Sequence, residues 1–130
     1  MKFIRIAAIS GALAVIIGAF GAHTLKIHLL PEQLNSFETG VKYQFYHTIA
    51  LLICGMLYRT TPSPKLKIAA SSFIAGMIMF CGSIYLLSTR TLTGFENISW
   101  LGPVTPIGGI LFILGWVFLF LWSGEKSNGK

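Results

Sequence analysis

Residues 102–122 read GPVTPIGGILFILGWVFLFLW, a run without one charged side chain. A helix rising 1.5 Å per residue needs about 20 mainly apolar residues to cross a hydrocarbon core of ~30 Å, so this run predicts a membrane span. Three more runs, 3–22, 41–58 and 67–87, meet the same requirement, and their only charges are Arg5, Lys42 and Lys67 near their ends. The fold class this predicts is all-α: an integral membrane bundle of four antiparallel transmembrane helices, filling 1–130 as one domain, with a short amphipathic segment after the first helix.

The composition agrees. At 54% hydrophobic and 11% charged residues, with a mean hydropathy of +0.73, the chain stands apart from soluble domains, in which roughly 25% of residues are charged. Four spans use about 80 positions, which leaves no room for a separate soluble catalytic or nucleic-acid-binding domain. The net charge of +6 fits the gathering of Lys and Arg in cytoplasmic loops. With the N-terminus cytoplasmic, that side holds Lys2, Arg5, Arg59, Lys65, Lys67, Lys126 and Lys130. The other side holds Lys26, Lys42 and Arg90, balanced by Glu32, Glu38 and Glu96. Both termini are therefore expected in the cytoplasm. The first run also resembles a signal peptide, with Ala19 and Gly21 near a cleavage point, but it is long enough to span and its small residues recur on one face.

Cys54 and Cys81 form no CxxC and no metal-type spacing. Counted along their helices, they lie about 21 Å and ~10 Å beneath the outer surface. That difference exceeds the ~7 Å a disulfide tolerates, so two free, packing cysteines and no metal site are expected.

Small residues at Ala7, Gly11, Ala14, Gly18 and Ala22 form a stripe that lets a neighbouring helix approach closely; Gly108 and Gly115, and Ser72, Gly76 and Gly82, repeat the device. Pro31, Glu32 and Gln33 make a good helix start. Leu30, Leu34 and Phe37 share a face, predicting a short helix on the membrane surface and a bend at Gly40 into the second span. Residues 59–64 carry two prolines and predict a tight hairpin. Trp100 is placed as an interface anchor, Pro103 and Pro106 open the fourth helix, and the tail 123–130 is expected to stay unfolded.

Polar side chains inside spans are costly and each needs an account. Gly40, Gln44, His47 and Leu51 follow one stripe, flanked by Tyr43 and Tyr46, with His47 ~10 Å below the outer helix end. His23 closes the first helix at the same surface, Ser83 and Tyr85 end the third, and Thr105 begins the fourth. The polar groups thus gather in the outer half. A plain account makes them interhelical hydrogen-bond glue, worth about 0.6 kcal/mol per contact. Others give His47 a proton-handling or ligand-binding role, or a metal or haem ligand role, for which no CxxCH motif exists. His28 is expected in solvent. No HExxH, GxSxG or paired acids occur, and no carboxylate lies within a span, so no enzymatic activity and no catalytic residue are expected.

The runs GAFGAH (18–23), TGVKYQFYHTIALL (39–52), GSIYLL (82–87) and LGPVTPIGGILFILGW (101–116) together closely resemble the small bacterial membrane proteins of the UPF0382 family, also described as domain of unknown function 423. The resemblance covers essentially the whole chain. It implies a four-helix protein of the bacterial plasma (inner) membrane, and it implies no activity. The family's hallmark positions fall on Gly18, Gly21, His23, Tyr43, Gln44, His47, Ser83, Tyr85, Thr105, Pro106, Gly108 and Gly109. One departure is Cys81, where members more often carry serine.

The leading expectation is a non-enzymatic protein of the lipid bilayer, without a cofactor, that binds or passes a small or lipidic molecule at His23, Tyr43, Gln44, His47, Ser83, Tyr85 and Thr105. Gly11, Gly18, Gly21, Gly108, Gly109 and Gly115 are the expected packing positions. The second expectation is a structural or assembly subunit, in a homo-oligomer or a larger membrane complex, with the polar cluster as glue. A haem-binding or redox protein is third.

Overall fold

The structure, a computed structural model, describes residues 1–95 and 97–127, the last two without their side chains. The charges expected at Glu96, Lys126 and Lys130 therefore lie outside the described residues and side chains. Helix α1 (Lys2–His23) is followed by a 3-10 turn (Leu25–Ile27) and by α2 (Pro31–Thr60). Helix α3 (Pro64–Gly76) passes through a π-helical segment (Met77–Cys81) into α4 (Gly82–Ser88) without a break. The short α5 (Arg90–Thr93) and a 3-10 turn (Ser99–Leu101) lead into α6 (Val104–Ser127), so that α1, α2, α3–α4 and α6 make four rods. No strand occurs among the described residues.

Three stretches, Lys2–Ile27, Pro64–Ser88 and Ser99–Glu125, are long and apolar enough to cross a membrane. Helix α2 has the length, but Lys42, Gln44 and His47 lower the apolarity of 41–58, and it is not among them.

Three local expectations are corrected. The segment after α1 is no separate surface helix, and Gly40 is no bend: α2 runs unbroken from Pro31 to Thr60. Its start is as the sequence predicts, with Pro31 in the first turn and Gln33 Oε1 accepting from the Leu30 amide at 3.0 Å. Phe37 is buried beside Leu25 and Leu29, so this turn of α2 packs on the end of α1 instead of lying on lipid. Gly40 is glycine because a Cβ there would come within 2.8 Å of the Tyr85 ring. The tail is also helical as far as Ser127. There Lys65 Nζ donates to Glu125 Oε1 and ties the start of α3 to the end of α6.

The helices pair as two hairpins. Along α1 and α2, Gly11 faces Thr48, Gly18 faces Val41, Gly21 faces Phe37 and Gly55 faces Phe3 and Ile4, one antiparallel register over the whole length. Along α3 and α6, Phe73 sits on Gly115, Phe112 on Gly76 and the backbone of Phe80 on Gly108. Each helix thus lends a ring to a gap on the other. The hairpins meet through α2 and α3, where Leu51, Cys54, Ala69, Ala70 and Phe73 are buried; Cys54 is free and buried there, and Cys81 is free and buried in the π segment. Of the predicted packing glycines, Gly18, Gly21, Gly108 and Gly115 meet close neighbours, whereas Gly11 and Gly109 have ordinary contacts and Gly82 meets nothing within 4 Å.

Candidate functional site

Helix α2 places Gln44 and Thr48 one turn apart, facing α1. Gln44 Nε2 donates to the Ser10 carbonyl at 3.0 Å, and the Tyr85 hydroxyl donates to Gln44 Oε1 at 2.7 Å. The Ser10 and Thr48 hydroxyls lie 2.7 Å apart, and both reach the Met77 sulfur. Gln44 is only 7% exposed. A buried amide is costly without partners, and here one network serves α1, α2, the π segment and α4.

His47 belongs to a different group. Its Nδ1 lies 2.7 Å from the Tyr43 carbonyl, one turn back in its own helix. Trp116 Nε1 donates to Nε2 at 3.3 Å. An indole only donates, so Nε2 accepts and Nδ1 carries the proton: the imidazole is neutral. Its ring stacks on Phe112, centroids 3.5 Å apart and 9° from parallel, with Phe73 and Tyr43 at 5.7 Å and 5.8 Å. With both nitrogens engaged, His47 offers no lone pair to a metal in this arrangement.

The predicted cluster therefore divides. Gln44 and Tyr85 join, Tyr43 and His47 stack, and Ser83 and Thr105 bond at 2.6 Å between α4 and α6. His23 stands exposed at the end of α1, away from the others. Sequence reasoning missed Ser10, Thr48, Met77 and Trp116. Ser10 is the only hydroxyl within the 3–22 run, and Trp116 lies far from the interface where tryptophan gathers. Those were the available signals.

Beside the Gln44–Tyr85 pair opens a cleft of about 370 Å³ between α1 and the continuous rod of α3, the π segment and α4. Ile6, Ile9, Leu13 and Ile17 form one wall; Ile74, Met77, Ile78, Cys81 and Gly82 form the other; Ser10, Gln44 and Tyr85 also line it. The π segment, a distortion that often accompanies functional sites, supplies three of these residues. Ile78 is 69% exposed, so the mouth opens on the outer surface of a stretch apolar enough to span. Such a volume is in the range of small-molecule sites, and its mostly apolar wall with a few polar groups is their usual make-up.

Residues 17–109 match the family model described as "Protein of unknown function (DUF423)". The chain is 43% identical over 119 residues to a UPF0382 membrane protein of Staphylococcus aureus, covering 92% of each chain. It is 36% identical over 127 residues to a UPF0382 membrane protein of Haemophilus influenzae, covering 98% of this chain and 97% of that one. The UPF0382 membrane protein YwdK of Bacillus subtilis is 36% identical over 118 residues, with 90% and 91% covered. No solved structure matches.

Proposed function

Because the chain belongs to the UPF0382 family of membrane proteins, described as DUF423, we propose that it is a non-enzymatic protein of the plasma membrane that holds one small lipidic molecule in the cleft between α1 and α3. The cleft itself carries this reading: an aliphatic slot open to lipid, with Gln44 and Tyr85 among its lining. An amide nitrogen has two hydrogens and a phenolic oxygen keeps acceptor capacity after donating. One Gln44 N–H and the Tyr85 oxygen thus remain for a polar head, while the aliphatic walls suit a chain.

In this reading all four rods span. Helix α2 keeps company with α1 from Phe37 to Gly55 in one register, which supports a shared span despite its polar residues. Both termini face the cytoplasm, because Lys2, Arg5, Arg59, Lys65 and Lys67 gather at their end. The described acids, Glu32, Glu38 and Glu125, stand near rod ends, which supports a role without acid–base chemistry.

A second reading, a structural or assembly subunit, draws on a different observation: Ser10, Gln44, Thr48 and Tyr85 already bond to one another, as interhelical glue would. Gly82→Leu separates the two. Its side chain would fill the cleft, and at the Cβ it meets nothing within 4 Å. Native mass spectrometry of protein extracted from its own membrane in mild detergent is expected to show a defined extra mass that Gly82→Leu loses at unchanged melting temperature. Bare protein in both, or an identical set of bound masses in both, would sink the ligand and leave the assembly role.

A further inference from the structure

A second groove, of about 480 Å³, lies on the opposite hairpin, along the face of α3. Its lining descends from Pro64 and Lys67 through Ile68, Ser71 and Ser72 to Ala75, and Leu111 of α6 completes it. From Pro64 to Ala75 the helix rises about 16 Å, one half of a ~30 Å hydrocarbon core. The groove is therefore one leaflet deep, in the half that holds the termini.

Its polar groups are ordered by depth. Lys67 stands near the surface, and among the described residues it has no acidic partner; Glu125, the carboxylate at that end, is engaged by Lys65. One turn deeper, about 6 Å along the helix, come Ser71 and Ser72. Elsewhere in the chain Ser36, Thr39 and Ser88 return their hydroxyls to the carbonyl four residues back. The hydroxyls of Ser71 and Ser72 have no partner among the described residues, although they line a groove in a stretch apolar enough to span. A hydroxyl in hydrocarbon is costly without a bond, and here two await an acceptor.

We propose that this groove is a binding site for an anionic phospholipid of the leaflet on the side of the termini. The phosphate pairs with the Lys67 ammonium, an ester carbonyl accepts from Ser71 or Ser72, and one acyl chain lies along Ile68, Ala75 and Leu111. A cation and two donors, with no acid lining the groove, select a negative head carrying acceptors. The site shares no residue with the cleft between α1 and α3, so either can fail without the other.

The test is native mass spectrometry of the purified protein in mild detergent, titrated with phosphatidylglycerol or phosphatidylcholine of identical acyl chains. Phosphatidylglycerol is expected to be retained about fivefold more, the worth of one basic residue at an anionic head. Lys67→Gln should erase that preference and Lys67→Arg should keep it. Lys2→Gln, at the same end but outside the groove, should leave it unchanged. Ser71→Ala with Ser72→Ala should lower retention of both lipids. Equal retention of the two lipids by the unaltered protein would overturn the site. So would a preference that survives Lys67→Gln, or that Lys2→Gln erases equally. Displacement of the lipid by glycerol phosphate alone would show a head-only site and overturn the role given to the chain.

Discussion

Gly108 and Gly109 are neighbours in the chain and opposites in their surroundings. A Cβ on Gly108 would fall 2.4 Å from the Phe80 backbone nitrogen, whereas one on Gly109 would meet only the Phe80 ring at 3.8 Å. Gly108→Ala must push two backbones apart and is expected to cost about 1–3 kcal/mol, as overpacking does. Gly109→Ala meets no obstacle and should stabilise by about 0.4–1 kcal/mol, because alanine restricts the unfolded chain. Reversible unfolding of both variants in the same detergent checks the contrast, and equal effects would contradict the close approach. The sequence marks both glycines alike, since what separates them is which way each points. The same holds at the candidate site. Gln44 and His47 are three residues apart, about 60° around a helix. That angle is enough to turn Gln44 to α1 and His47 to Phe112 and Trp116. That Gln44 and His47 are polar side chains inside an apolar run is legible in the sequence; the two directions in which they part are not, because they depend on neighbours from distant segments.

At the scale of elements, α2 is where the sequence misleads. The start Pro31, Glu32, Gln33 and the shared face of Leu30, Leu34 and Phe37 read as a short surface helix, and Gly40 as its hinge. The helix nevertheless continues, because Phe37 and Gly40 have partners in Leu25, Leu29 and Tyr85. Gly40→Ala discriminates the two accounts. In a hinge it would be neutral or would strengthen the helix; in the continuous helix it collides with the Tyr85 ring at 2.8 Å. We expect a loss of about 1–3 kcal/mol, read as a lower melting temperature. Mutating Tyr85→Phe as well should not rescue it, since the colliding atoms belong to the ring and not the hydroxyl. The π segment was illegible for a similar reason: MIMFC carries no sequence mark of a widened turn, and its place beside Thr48 and Ser10 is known only once those helices meet.

For the molecule as a whole, three of the four expected spans, 3–22, 67–87 and 102–122, were legible, because length and apolarity are properties of a segment alone. Which helix lies against which was not, since lipid tails are as apolar as the side chains and shape decides association. The proposed crossing of all four rods makes a prediction about sides. Lys26→Cys, in the link after α1, should react with a membrane-impermeant maleimide on intact cells, and Pro62→Cys, between α2 and α3, only after permeabilisation. The native Cys54 and Cys81 are buried and should stay silent. The reverse pattern would invert the orientation, and equal labelling of both positions on intact cells would mean that α2 does not cross.

The exchange of rings and gaps between α3 and α6 has a consequence for error. Slide α6 by one turn in one direction and Phe112 comes onto Phe80; slide it the other way and Phe112 comes onto Phe73. Only the observed alignment sets each of Phe73, Phe80 and Phe112 against a glycine of the partner helix. In a solvent that gives apolar helices no reason to prefer one alignment over another, the hairpin rejects its own misalignments by collision.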